Sequence, residues 1–203
     1  IIFFNYCINK LLRFMKFLFD LGGVFFDWNP KYFYKDIFND PKEMDFFLND
    51  VCNDNWNLKQ DAGRSIKEAE QIIISEFPKY EEQIRMYYAN HRKMIRGTFK
   101  SSIKTLEKLK SLDIQCYVLS NWSAETFKGM TEEYSFLKLF DGILISGEEK
   151  LTKPDLAIYK LAIKRFNLVP EKSVFIDDKL ANIKTAKKLG LNTIHLTNPK
   201  YNL

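Results

Sequence analysis

Short apolar runs alternate with amphipathic stretches along most of this 203-residue chain, and this alternation constrains the fold more than any other feature. Five runs have the length and composition of buried strands, over Lys16–Phe19, Gln115–Leu119, 141–146, Ser173–Ile176 and Asn192–Leu196. Stretches with helical spacing lie between them, at 103–110, 155–166 and 180–189. Because the strands are apolar throughout, both faces of their sheet must be covered. We therefore predict an α/β fold with a Rossmann-like parallel sheet in a three-layer core.

Residues 31–97 differ from the rest of the chain because they contain no convincing strand pattern. Apolar residues recur at helical spacing from Ile66 to Phe77 and again from Tyr80 to Ile95. This pattern predicts a helical bundle inserted after the first strand. The predicted domains are a discontinuous core at 15–30 and 98–203, an α-helical cap at 31–97 and an N-terminal extension at 1–14.

Charge and composition argue against two classes of function. The net charge is +5, but the lysines are scattered, whereas nucleic-acid-binding proteins concentrate charge on one element or tail. The apolar residues within 1–14 are interrupted by polar ones and form too short a segment to span a membrane. The three cysteines are far apart, which fits a reducing compartment. We expect a cytoplasmic protein with a small-molecule partner and no nucleic-acid or membrane partner; no oligomeric state is predicted.

Polar residues able to carry chemistry stand at the ends of the predicted strands or in adjoining loops. They are Asp20, Ser120, Asn121, Lys153, Asp177 and Asp178. In an open α/β sheet the carboxyl ends of the strands face one crevice, so residues this far apart in the chain can meet there. Gly22 and Gly23, separated from Asp20 only by Leu21, allow the backbone to turn sharply beside a ligand.

These residue types together suit phosphoryl transfer. A carboxylate such as that of Asp20 can attack phosphorus and form an acyl phosphate, which water then opens. Mg²⁺ held by Asp20 and one acid of the Asp177-Asp178 pair would neutralise the repulsion between carboxylate and phosphate. Lys153 and the Ser120 hydroxyl would stabilise the phosphoryl oxygens.

Four segments in this order resemble the motifs of the haloacid dehalogenase superfamily. They are FLFDLGGV, YVLSNWSAETF, KPDLAIYKLAIKRF and VFIDDKLANIKTAKKLG, and the resemblance runs from Phe17 to about Leu196. The stretch DAGRSIKEAE is similar to the helical-cap branch that includes sugar-phosphate phosphatases and the N-terminal phosphatase domain of epoxide hydrolases. The resemblance implies a sheet of strand order 3-2-1-4-5 and a hydrolase that uses Mg²⁺.

The resemblance also implies roles at the metal. Asp20 would be the nucleophile and a metal ligand, together with the backbone carbonyl of Gly22 and the carboxylate of Asp178. Asp177 and Asn182 would support the metal site and Lys153 from behind.

Around the phosphoryl group, the resemblance makes Ser120 and Lys153 catalytic and Asn121 a substrate-binding residue. We also take Trp122 as a candidate wall of the cleft. Arg64, at a turn of the cap, is a candidate for binding a second anionic or hydroxyl-rich group, which suits a guanidinium.

One position departs from the family pattern. Most phosphatases of the family carry a second aspartate two residues after the nucleophile, as general acid and base, and here that residue is Gly22. Asp27 is the nearest acidic substitute. The main hypothesis is a Mg²⁺-dependent phosphatase acting on a small phosphorylated metabolite, with sugar phosphates among the candidates. A metal-independent 2-haloacid dehalogenase and a catalytically degenerate binding or regulatory protein are the alternatives.

Overall fold

A computed structural model describes residues 14–198 of the chain, so nearly all of the predicted extension at 1–14 lies outside the described residues. Its centre is a five-stranded parallel sheet, and a two-stranded antiparallel sheet accompanies it. The strands are β1 (Lys16–Phe19), β2 (Phe26–Trp28), β3 (Ile95–Thr98), β4 (Gln115–Ser120), β5 (Gly142–Ile145), β6 (Ser173–Asp177) and β7 (Asn192–His195). This confirms the predicted α/β class.

The strand order of the large sheet is β5-β4-β1-β6-β7. These labels differ from the predicted 3-2-1-4-5 because β2 and β3, which form the small sheet, were not predicted and are counted in chain order. Numbered among themselves, the five parallel strands follow the predicted order. Strand β1 is therefore at the centre of the sheet, between β4 and β6.

Helices and short helical turns connect these strands. The α-helices are α1 (Lys31–Tyr34), α2 (Pro41–Phe46), α3 (Asp54–Asp61), α4 (Ile66–Glu76), α5 (Glu81–Ala89), α6 (Lys100–Ser111), α7 (Ala124–Phe127), α8 (Met130–Glu133), α9 (Ser146–Glu149), α10 (Leu156–Arg165) and α11 (Leu180–Lys188). A π-helical turn at Phe47–Val51 and 3-10 turns at Pro78–Tyr80, His91–Met94, Ser135–Leu139 and Pro170–Lys172 complete the helical elements of the described residues.

The central strand separates two hydrophobic clusters because its side chains alternate between the two faces of the sheet. Phe19 belongs to a cluster that includes Leu106 of α6, whereas Leu18 belongs to one that includes Tyr159 of α10 and Ile183 of α11. Burial of both faces explains why the strands are apolar throughout. The predicted three-layer core is confirmed.

A third hydrophobic cluster lies within residues 33–94, and it is rich in aromatic side chains such as Tyr34, Phe47 and Tyr87. The helices of this segment agree with the predicted bundle. One expectation for the segment was wrong: Ile95, placed on a helical face, begins β3, which pairs antiparallel with β2. β-Branched Ile95 and Thr98 and the glycine between them suit this short strand better than a helix. The division into core and cap stays a prediction.

Strand register brings the ends of three strands to one place. Phe19 at the end of β1 pairs with Val118 of β4 on one side and Ile176 of β6 on the other. The residues that follow these partners therefore meet beside Asp20. Within residues 14–198, no helix is both long enough and apolar enough to cross a membrane.

Candidate active site

The carboxylate of Asp20 lies at the centre of the converging strand ends and is 6% exposed. Its Oδ1 accepts hydrogen bonds from the backbone N–H of Leu21 at 2.8 Å and from the hydroxyl of Ser120 at 2.6 Å. The same oxygen lies 2.9 Å from the Nζ atom of Lys153. One carboxylate oxygen thus contacts all three of these donors, which fixes the orientation of the group.

Lys153 reaches this carboxylate from the loop between α9 and α10 and is 2% exposed. Its Nζ atom also lies 2.7 Å from Oδ2 of Asp177, so one ammonium joins two buried carboxylates. Burial acts to lower the pKa of Lys153, but the charges and hydrogen bonds of Asp177 and Asp20 outweigh it and raise the pKa above its ordinary value. Lys153 is therefore a fixed positive charge beside Asp20.

Asn121 holds the backbone of Lys153. Its Oδ1 accepts the backbone N–H of Lys153 at 2.8 Å, and its Nδ2 donates to the backbone carbonyl of Lys153 at 2.9 Å. The side chain of Asn121 thus ties the end of β4 to the lysine loop. Asn121 also lines the cavity, as predicted for a substrate-binding residue, but its amide is engaged in positioning Lys153.

Asp177 is fully buried and all of its carboxylate is engaged. Oδ1 accepts the backbone N–H of Lys179 at 2.7 Å, and Oδ2 accepts the ammonium of Lys153 at 2.7 Å. The amide of Asn182 donates to both oxygens, at 3.0 and 2.9 Å. Asp177 and Asn182 thus bind each other, and Asp177 binds Lys153; their supporting role at a metal stays a prediction.

Asp178, the next residue, is placed differently. Its Oδ1 is buried and has no hydrogen-bond partner among the described residues, although a carboxylate needs one when it is removed from water. One ligand atom from each of Asp20, Asp177 and Asp178 lies within 4.8 Å of the others. Oxygen ligands at this spacing fit a hard divalent cation, and the unpartnered oxygen of Asp178 is the natural contribution to it. The described residues therefore fit the Mg²⁺ that the sequence predicts.

Gly23 is required beside this cluster. Its backbone has a φ of +69°, in the left-handed region, and a Cβ atom at this position would collide with the carboxylate of Asp178. Gly22 faces open space instead, since a Cβ atom there would meet nothing within 4 Å. The first glycine lines the cavity and the second leaves room for a carboxylate.

Electrostatics at Asp20 reflect its neighbours. Burial raises the pKa of Asp20 to about 7, the carboxylates of Asp177 and Asp178 act in the same direction, and Lys153 and the Ser120 hydroxyl oppose them. A carboxylate in such surroundings is poorly solvated and favours any further positive charge. A divalent cation bound here would favour the ionised form of Asp20.

A cavity of about 430 Å³ opens from Asp20 toward the cap segment. Sequence reasoning identified Trp122 as a candidate wall, and Trp122 lines this cavity. Trp28 and His91 also line it, and the sequence predicts neither as a site residue. The ring centroids of His91 and Trp122 are 5.6 Å apart, and those of His91 and Trp28 are 6.1 Å apart. Trp28 and His91 stand among many other aromatic residues in the sequence, so nothing in the sequence marked them as lining the cavity.

Two candidate residues lie elsewhere. The guanidinium of Arg64 donates to Oε1 of Gln60 at 2.7 Å and to the carbonyl of Trp56 at 3.4 Å, and Arg64 is not among the residues that line the cavity. Asp61, three residues earlier, lines it instead. The last residue of α3 thus takes the place expected of Arg64.

Asp27, the acidic substitute expected for the position of Gly22, is also turned away from Asp20. Its Oδ1 accepts the hydroxyl of Tyr32 at 2.8 Å, and its Oδ2 accepts the guanidinium of Arg96 at 2.6 Å. Asp27 lines a separate surface cavity of about 470 Å³. Asp27 is therefore not placed to exchange a proton with a group bound at Asp20.

The family model of haloacid dehalogenase-like hydrolases matches residues 41–196, which is most of the chain. The chain belongs to this family. The match begins after Asp20, so the placement of that residue rests on the geometry described above.

Relatives of known activity include phosphatases and dehalogenases. The chain is 27% identical over 180 residues to a sesquiterpene phosphatase of Aspergillus oryzae, covering 89% of this chain and 88% of the relative. It is 28% identical over 123 residues to an (S)-2-haloacid dehalogenase of Burkholderia cepacia, covering 56% of this chain and 53% of that protein. Another relative is much longer: the chain spans 32% of a drimenol cyclase of Aspergillus calidoustus, at 24% identity and 86% coverage of this chain.

A solved structure supports the same fold. A haloacid dehalogenase family enzyme of Bacteroides thetaiotaomicron, in complex with magnesium and inorganic phosphate, matches with a TM-score of 0.67 and 25% identity. The match covers 89% of this chain and 92% of that one. The site is therefore that of a hydrolase of the haloacid dehalogenase-like family.

Proposed function

We propose that this hydrolase is a Mg²⁺-dependent phosphatase that releases phosphate from a small phosphorylated metabolite through an aspartyl-phosphate on Asp20. The observation that carries the proposal is the three-carboxylate cluster with a buried lysine, in which Asp178 keeps an unpartnered oxygen. A carbon-attacking dehalogenase needs no such cation site. The phosphatase relative and the magnesium and phosphate bound to the structural neighbour support this choice.

Asp20, Asp178 and the backbone carbonyl of Gly22 are the proposed holders of the cation. When bound, Mg²⁺ supplies positive charge that lets a carboxylate approach a phosphate dianion. Asp177 is excluded as a principal ligand in this proposal because its two oxygens already bind Lys153, Asn182 and the backbone of Lys179.

The chain's own residues account for the remaining requirements. Ser120 and the backbone N–H of Leu21 keep one oxygen of Asp20 fixed, so the carboxylate meets phosphorus in one orientation. Lys153 stabilises negative charge on the phosphoryl oxygens, and Asn121 holds the lysine loop in position. The wall formed by Trp28, His91 and Trp122 would exclude water on the side of the leaving group.

The lining of the cavity restricts the leaving group. Its cationic side chains are Lys153, which is bound to two carboxylates, and Lys179, whereas Asp54 and Asp61 lie on the cap side. A second anionic group would meet these acids, so we propose an uncharged leaving group. A hydroxylated one, as in a sugar phosphate, would also find a hydrogen-bonding partner in the exposed Asn55 of the lining.

The division into a core and a mobile helical cap is part of this proposal, with closure of 31–97 over the substrate selecting the leaving group. We propose a cytoplasmic location because the three cysteines are far apart in the sequence, and the free, buried Cys52 and Cys116 support it. No nucleic-acid or membrane partner is proposed.

A panel of phosphorylated metabolites and 2-haloacids, assayed with Mg²⁺ and with a chelator, tests the proposal. We expect phosphate release that the chelator abolishes and added Mg²⁺ restores. Halide release that persists in the chelator would instead establish a dehalogenase. A purified, folded protein that turns over neither class would establish the binding-protein alternative.

A further inference from the structure

A phosphatase of this kind needs a group that gives a proton to the leaving oxygen, and the usual position for it is Gly22. That residue has no side chain, and open space surrounds the place where one would begin. Asp177 and Asp178 belong to the cation cluster, and Asp27 binds Tyr32 and Arg96 in another cavity. The proton must therefore come from a different residue of the lining.

Asp61 is placed to supply it. It is the last residue of α3, it lines the same cavity as Asp20 and Gly22, and it is half-buried. Its Oδ2 accepts a long hydrogen bond of 3.3 Å from the amide of Asn57, and the backbone N–H of Ser123 also supports it. Asp54, the other acid of this helix in the lining, is exposed at its first turn.

We propose that Asp61 is the general acid and base of the reaction and replaces, from the cap side of the cavity, the carboxyl group missing at Gly22. The proposal rests on the phosphatase function proposed above. It assigns to α3 a chemical role in addition to the selection of the leaving group.

Protons balance over the two steps. When Asp20 attacks phosphorus, the bond from phosphorus to the leaving oxygen breaks, and that oxygen takes the proton of the Asp61 carboxyl group to leave as an alcohol. In the second step water attacks the phosphorus of the aspartyl-phosphate and gives one proton to the Asp61 carboxylate. The bond from phosphorus to Asp20 breaks, hydrogen phosphate leaves, and both aspartates return to their starting states.

The charged groups around Asp61 are compatible with this cycle. Burial raises the pKa of Asp61 to about 7, and Asp20 acts in the same direction. Lys179, which precedes α11, acts to lower the pKa, as do the Ser123 N–H and Lys153. A carboxyl group that gains and loses a proton near neutral pH is suited to both steps.

Asp61→Asn tests the proposal in a series of phosphate monoesters whose leaving groups differ in basicity. With alkyl phosphates, kcat/KM should fall by about 10²- to 10⁴-fold, because the alkoxide is left without a proton donor. With p-nitrophenyl phosphate, whose leaving group needs no proton, the loss should be at least about tenfold smaller. Asp50→Asn, in an exposed acid outside the cavity, is the matched control and should leave both rates unchanged.

The wild-type pH profile adds a readout that a structural role would not move. For an alkyl phosphate, kcat/KM should fall as pH rises and Asp61 loses its proton, and this limb should vanish in Asp61→Asn. Equal losses for every leaving group, in a variant whose melting temperature matches the wild type, would overturn the inference.

A rescue variant covers the case in which Asp61→Asn itself is damaged. Adding Gly22→Asp to Asp61→Asn places a carboxyl group where the structure leaves room, and the alkyl phosphate rate should recover by at least about tenfold. No recovery in a folded double variant that still hydrolyses p-nitrophenyl phosphate would count against the inference. A wild type that hydrolyses no phosphate monoester refutes the proposed function instead, so the two failures are distinguishable.

Discussion

The two sides of the cavity are built in contrasting ways. On the core side, Asp20, Lys153 and Asp177 are almost completely buried and joined by short ion pairs. On the cap side, Asp54 is exposed and Asp61 is half-buried, with a longer side-chain hydrogen bond. In the proposed reaction, the core side would fix the geometry of phosphoryl transfer, which is common to all substrates. The cap side can change with the leaving group without disturbing that geometry.

The largest expected effect is on the core side, in Asp20→Asn. Its kcat should fall by at least ~10⁴-fold for every substrate, because the covalent route through the carboxylate is lost. The loss should be the same for alkyl and aryl phosphates, unlike that of Asp61→Asn. Rapid quenching with labelled substrate should trap phosphate on the wild-type protein. Label retained by the Asn variant would show that the nucleophile is another residue.

Lys153→Met should have the next largest effect on activity. Removal of the ammonium takes a positive charge from the phosphoryl oxygens, and kcat should fall by about 10²- to 10³-fold. It also leaves Asp20 and Asp177 unpaired in the interior, which should lower the free energy of unfolding by about 3–5 kcal/mol. Lys160→Met, on the exposed surface of α10, is the control for both measurements. A wild-type rate in Lys153→Met would remove the lysine from the mechanism.

On the cap side, His91 should affect stability rather than chemistry. Burial lowers the pKa of His91 to about 4, with a smaller effect of Arg92, whereas an unfolded histidine titrates near 6.5. The unfolded chain therefore binds more protons between these values, and stability should fall as pH decreases from 6.5 to 4, by up to about 3 kcal/mol. Chemical denaturation across this range should show a weaker dependence in His91→Phe. An identical dependence would assign the protons to another group.

Gly23→Ala should lower stability by a smaller amount, and it should also lower Mg²⁺ affinity because Gly23 lies beside the carboxylates of the core side. A side chain in the left-handed region costs about 1–3 kcal/mol, and here it also displaces the Asp178 carboxylate. Gly129→Ala is a matched control, since Gly129 has a φ of +84° and open space at its Cβ position. Both variants should lose stability, but Mg²⁺ affinity, measured by titration calorimetry, should fall in Gly23→Ala. Equal affinities would separate Gly23 from the cation site.

The fold was predictable because its signals are local. Apolar runs such as Ser173–Ile176 and the helical spacing of 103–110 determine the class, and a parallel sheet then brings the strand ends together whatever the loops do. Strand β3 was missed because four residues with one glycine carry too little periodicity to register. Its partner β2 is shorter still.

Side-chain placement within the cap was far less predictable. Asp61 is the last residue of α3, whereas Arg64 follows in the turn after it, and the sequence does not decide which of the two faces the cavity. Arg64 donates back to Gln60 and Trp56 of α3, and that choice depends on tertiary packing. The positions of the core residues were easier to predict. A residue that follows the last position of a parallel strand must lie at the carboxyl edge of the sheet, whatever the loops do.

The balance of charge around Lys153 has a thermodynamic consequence. Three carboxylates, those of Asp20, Asp177 and Asp178, face one ammonium, so the cluster holds two more negative charges than positive ones when all are ionised. One divalent ion restores neutrality. Since an unfolded chain offers no such assembled cage, the ion should act as a ligand of the native state, adding about 2.7 kcal/mol at a free concentration of 100 times its Kd. The free Mg²⁺ concentration would then set the stability of the folded protein as well as the rate of the proposed reaction.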